Sequence, residues 1–152
     1  WPYLNRFFSA LGFVKDNQFI NREAHMRAVC LLHLIIDGNE DVHEYNLALN
    51  KLVCGWPLNE PLRTDFEFTR DEQQETENLL RTVIKHWEAL KNTSVEGFQT
   101  SFLRRNGILR RKENGWLIQV ERKPFDLLLD KLPWAIGVIK TTWMKKPLHV
   151  EW

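Results

Sequence analysis

The stretch that most restricts the fold is AVCLLHLII, residues 28–36, in which His33 is the one polar side chain. Asn21 is placed to cap a helix ahead of it, and Glu23 falls in the first turn, where the helix dipole favours an acid. Asp37-Gly38-Asn39 then stops the helix. A helix that is apolar almost all round must be covered on every side. It is far too short to span a bilayer, which takes about 20 apolar residues. The run therefore predicts a central helix in a hydrophobic core. A chain of 152 residues is long enough to build one. With 43% hydrophobic and 27% charged residues, wholesale disorder is excluded.

Other helices are expected around that axis. LNRFFSALGFV predicts a short helix ending near Gly12. In HEYNLALNKLVCG, Tyr45, Ala48, Leu49, Leu52 and Val53 recur at helical spacing, and Gly55 closes the element. WPLNEPLRTDFEF has two prolines and no helical period, so it predicts a structured loop. Thr69 and Glu72 form a capping box for a helix whose apolar face is Leu79, Leu80, Val83, Ile84, Trp87 and Leu90. Its early acids, Asp71, Glu72, Glu75 and Glu77, suit a solvated helix start. Thr93 and Glu96 suggest a second capping box, with Val95, Phe98, Phe102 and Leu103 as the stripe that follows.

The last third changes character. LRRKENGWLIQVE, residues 109–121, alternates about an Asn-Gly pair. A type I′ turn at Asn114-Gly115 would set Glu113 opposite Trp116, Arg111 opposite Ile118 and Leu109 opposite Val120. Leu109, Trp116, Ile118 and Val120 then share one face, and Arg110, Lys112, Gln119 and Glu121 the other. Arg111 falls on the apolar face, its stem lying over Trp116 or Ile118. Pro124 suits the first position of a helix over FDLLLDKL, WAIGVIKTTW is β-like or irregular, and PLHVEW alternates as a strand. The fold class expected is α+β: mainly helical, with a β-hairpin and a terminal strand in the last third, as a single globular domain over residues 1–152. Seven tryptophans exceed what a small core readily absorbs, so some are expected to face a partner.

Candidate chemistry is sparse. Cys30 and His33 sit three apart on one helix, and Cys54 or His86 could join them on zinc, but zinc sites favour close ligand pairs on loops. Cys54 precedes Gly-Trp with nothing to link it to a base. Both thiols are expected to be buried, free and reduced. There is no glycine-rich phosphate loop, and no paired carboxylates stand in a recognisable acid–base setting. No catalytic residue, metal ligand or cofactor is therefore assigned. Arg104, Arg105, Arg110, Arg111 and Lys112 imitate a winged helix, but Glu113 and Glu121 interrupt them and the net charge is only +1. A winged-helix-like nucleic-acid-binding domain is the alternative reading. A non-catalytic interaction module is preferred.

Three stretches read together point further: EYNLALNKLVCGWPLNEPL (44–62), ETENLLRTVIKHWEALKNTSVEGFQTSFLRRNGIL (75–109) and GWLIQVERKPFDLLLDKLPWAIGVIKTTWMKKPLHVEW (115–152). In combination LNKLVCG, LKNTS-EG, GW-QVER-P-D-LLD-LPW and PL-VEW resemble the tape measure proteins of contractile injection systems, the phage-tail-like particles that bacteria release. The region before Asn21 matches only in its LNRFF–LGF character.

The resemblance implies a structural role. Such a protein runs inside the tube and sets how many rings polymerise. This chain is similar to the globular C-terminal part of a longer tape measure protein, which would anchor the ruler near the baseplate hub and spike. It implies assembly in a bacterial cytoplasm and a place in the released particle. The implied partners are inner tube and baseplate hub or spike proteins and further copies of the chain, with no nucleic acid and no membrane binding by this segment. Leu148, Val150 and Trp152 project to one side of the terminal strand. With Trp143 beside them, they are the expected partner-binding residues; the alternative is an internal edge strand docked on the domain's own β region.

Overall fold

Helix α2 (Arg22–Asp37) is the axis of the molecule, and its sequence shows why. The Asn21 side chain accepts a hydrogen bond from the Ala24 amide at 2.8 Å, and Gly38 closes the helix in a left-handed conformation at φ 67°. Every residue from Ala28 to Ile35 is buried. The computed structural model describes residues 2–90 and 92–152. Around α2 pack α1 (Leu4–Ala10), α3 (Ala48–Cys54), α4 (Arg70–His86) and α5 (Val95–Phe98), the last continuing into a π-helical turn at Gln99–Leu103. Phe7, Phe8, Leu80, Ile84, Trp87, Phe98 and Phe102 close the core around the axis.

The strands form two sheets. A small hairpin joins β1 (Val14–Lys15) to β2 (Gln18–Phe19). Its turn residues Asp16 and Asn17 stand at φ 50° and 62°, the left-handed pair that a type I′ turn requires. The second sheet has the order β3-β4-β6-β5, with β3 Gly107–Lys112, β4 Gly115–Val120, β5 Val138–Ile139 and β6 Leu148–Glu151. β6 runs parallel to β4 and antiparallel to β5, so the C-terminal strand is interior to the sheet. The inner face carries Leu109, Trp116, Ile118, Leu148, Val150 and Ile139, and meets Leu49 and Leu52 of α3 and Met144 in a second core. The fold is α+β and mainly helical, as the residue patterns predict.

Several local expectations need correction. The hairpin turns at Glu113-Asn114 rather than at Asn114-Gly115, which sets Lys112 opposite Gly115, Arg111 opposite Trp116 and Leu109 opposite Ile118. The slip is two residues along β4, so each side chain keeps its face. Tertiary pairing decides the register: the Trp116 amide donates to the Pro147 carbonyl at 2.9 Å. A Cβ on Gly115 would stand 2.5 Å from that same oxygen, so glycine is needed where β4 meets the 147 segment and not in the turn.

The helix expected from Tyr45 begins at Ala48; Tyr45 lies in a 3-10 turn, 79% exposed. Ser94, not Thr93, caps α5, by accepting from the Gly97 amide at 3.0 Å. Residues 124–131 form a 3-10 helix. Glu72 is not solvated: it is 3% exposed and holds Arg27 through contacts of 2.5 and 2.6 Å, while completing the capping box with Thr69. The pattern of α4 showed the cap but not the cation that α2 brings to it.

Candidate interaction surfaces

The segment after β5 is built onto the C-terminus of α3. A helix end leaves carbonyls without partners. Here the Thr141 hydroxyl donates to the Val53 carbonyl at 2.7 Å, and His25 Nε2 meets the Cys54 carbonyl at 2.7 Å. Burial is the main influence on His25 and lowers its pKa, favouring the neutral ring that donates from Nε2. Gly55 ends α3 at φ 73°, and a Cβ there would lie 2.1 Å from the Trp143 carbonyl. The chain thus passes backbone against backbone between α3 and residue 143.

The four residues expected to bind partners take different places. Trp143 is half-buried against Phe8 and Phe19, with ring centroids 5.5 and 4.9 Å away. Leu148 is 1% exposed and Val150 half-buried, both on the inner face of the sheet. Trp152 turns away from them, half-buried beneath Arg105, whose guanidinium carbon lies 5.6 Å from the ring centroid. Arg105 is itself held by Asp126 and by the Ser101 and Glu121 carbonyls.

Trp152 stands at the edge of an apolar hollow of about 250 Å³, between α4 and the 129–136 segment. Leu79, Val83, Trp87, Leu132 and Trp134 line it with Trp152. The buried indole nitrogens of Trp87 and Trp152 have no hydrogen-bond acceptor. Sequence reasoning missed this hollow. Its one signal was WAI, residues 134–136, an apolar run after Pro133 in the stretch read as β-like or irregular. The tryptophans among the described residues are all buried or half-buried, so the surplus seen in the sequence is largely absorbed by the fold; Trp1 lies outside the described residues.

The chemical candidates are held apart. Cys30 and Cys54 are buried free thiols, and burial pushes Cys30 up to about 12 and Cys54 higher still. A nucleophile or metal ligand needs the thiolate, which such burial disfavours. His33 pairs with Asp37 at 3.2 Å, and His86 Nδ1 with the Tyr3 hydroxyl at 2.9 Å. Among the described residues no three His, Cys, Asp or Glu side chains are grouped to hold a metal.

The basic residues of the imagined wing are mostly engaged. Arg104 reaches the Asp37 carbonyl at 2.6 Å, Arg105 pairs with Asp126, and Arg110 bonds Gln119. The element before the hairpin buries Phe98, Gln99 and Phe102, and α5 has only four residues. No helix of the described residues is long and apolar enough to cross a membrane.

Among the described residues this arrangement is one of packed cores and buried side chains. What it defines is a structural module: two joined cores, a terminal strand locked in a sheet, and an apolar hollow at the surface. Residues 1–152 match the contractile injection system tape measure protein family, and the chain belongs to that family. Comparison with curated proteins and with solved structures gave no significant match.

Proposed function

We propose that this chain is the part of a tape measure protein that anchors the ruler at the baseplate end of the tube, near hub and spike. The observation that carries the reading is the shape of the elements. The longest helix among the described residues, α4, has 17 residues and spans about 26 Å at 1.5 Å per residue. A ruler works through extended length, whereas these residues are folded back into two packed cores. Within the family, that suits the piece that is held, not the piece that measures.

The anchoring surface includes the hollow bordered by Trp152, with a second contact at half-buried Trp143, which packs on Phe8 and Phe19. Leu148 and Val150, in the second core, hold the strand that ends in Trp152. The tube and hub proteins, and sister copies of the chain, are the partners of this surface, and assembly takes place in the bacterial cytoplasm. An antibody fragment raised against the folded chain, imaged on tube–baseplate intermediates by cryo-electron microscopy, is expected to mark the baseplate end. Label at the distal end, or spread along the tube, overturns the anchoring reading.

A further inference from the structure

A cleft of about 480 Å³, sharing no lining residue with the hollow, opens between the 55–59 loop after α3 and the β3–β4 hairpin. Its apolar walls are Leu52, Pro57, Leu58 and Trp116. Arg111, Lys145 and Lys146 stand on it, all exposed, and no acidic side chain lines it. Among the described residues none of the three cations forms an ion pair; Lys146 donates to the Glu113 carbonyl at 2.8 Å. Some cations elsewhere are held by carboxylates, as in Arg22 with Glu60, Lys51 with Glu44 and Arg105 with Asp126. What sets these three apart is their grouping around one apolar trough with no acid in its lining, in a chain of net charge +1.

The cleft is also preformed. Gly55 and Gly115 both line it, and each is pressed against a backbone carbonyl, Trp143 O and Pro147 O respectively. Its width is therefore set by main chain meeting main chain. A site that need not reorganise loses less on binding.

We propose that this cleft binds an acidic, extended segment of a partner protein, with an apolar side chain seated between Leu52 and Trp116 and flanking carboxylates on Arg111, Lys145 and Lys146. Nucleic acid fits it less well. Sequence-tolerant strand binding needs open aromatic faces for stacking. Trp56 is buried with the Arg22 guanidinium 4.7 Å from its ring centroid, and Trp116 is half-buried in the second core. The proposal concerns a different cavity from the hollow and does not depend on which end of the tube the chain occupies.

The test uses the 152-residue chain and an acetylated, amidated peptide with one leucine flanked on each side by two glutamates, beside its glutamine counterpart. Nuclear magnetic resonance should show the glutamate peptide shifting the Trp116 indole N–H signal while leaving that of Trp87 in place. Affinity should fall as salt rises, and the combined variant Arg111→Ala, Lys145→Ala, Lys146→Ala should weaken it by about tenfold while keeping the wild-type fold. Equal binding of the glutamine peptide, or of the glutamate peptide by the variant, overturns the proposal. Tighter binding of oligothymidine at the same signals would assign the cleft to nucleic acid instead. Self-association of the wild-type chain that the variant abolishes would assign it to a second copy.

Discussion

Replacing Glu72 with glutamine tests the junction between α2 and α4 with little change of volume. The wild-type carboxylate accepts from Arg27 Nε and Nη2 at 2.6 and 2.5 Å and from the Thr69 amide at 2.7 Å. Glutamine keeps one acceptor oxygen but turns an NH2 group toward donors. It also leaves Arg27, whose side chain is only 16% exposed, without its counter-charge. Removing one partner of a buried pair costs about 3–5 kcal/mol. For a domain of this size each kcal/mol moves the melting temperature by about 2–4 °C. Glu72→Gln should therefore lower Tm by about 10 °C in differential scanning calorimetry at neutral pH. Thr69→Ala, which removes only a cap, should cost about 1 kcal/mol. The double change Arg27→Met, Glu72→Leu should recover much of the loss, because no uncompensated charge remains. A Glu72→Gln variant melting within about 2 °C of wild type would refute the claim that the pair joins the helices.

Acid should act through the same groups. Burial alone would raise Glu72, but Arg27 and Thr69 outweigh it and hold the carboxyl below its ordinary value; Asp126 is held low in the same way by Arg105 and the Lys123 amide. Their contribution is complete above the ordinary carboxylate range and is lost as pH falls through the lowered values, so Tm should drop below about pH 4.5. Glu72→Gln should flatten that fall, and a parallel fall in wild type and variant would count against it. Gly55→Ala should unfold the 141–144 connection, because its Cβ would meet the Trp143 carbonyl; wild-type Tm and an unmoved Trp143 indole signal would contradict this. Ending the chain after Lys146 removes β6 from between β4 and β5, and an unfolded or aggregated product is expected by circular dichroism. A folded product would mean that the terminal strand is dispensable to the sheet.

Much of this architecture could be read from local pattern. The axis α2, its Asn21 and Gly38 ends, the Thr69–Glu72 capping box, the break at Gly55, the faces of the hairpin and the terminal strand all follow from side-chain period and from caps, which act over a few residues. The family resemblance was carried by the same residues from Glu44 onward.

The larger misjudgements of local pattern share one cause. Asn114-Gly115 has the composition of a type I′ turn, yet the register obeys Pro147, more than thirty residues away, and the I′ turn forms instead at Asp16-Asn17. Glu72 looked like one acid among several until α2 placed Arg27 beside it. The apolar hollow and the basic cleft each draw their walls from segments far apart in the chain, and no spacing rule records that Arg111, Lys145 and Lys146 line one trough. By itself the sequence determined the main helices and the later hairpin, where most of them stop and which faces are apolar, because those depend on neighbours within one or two turns. Only the tertiary structure decided register, buried ion pairs and surface concavities, because these are set by contacts that the chain makes after it has folded back on itself.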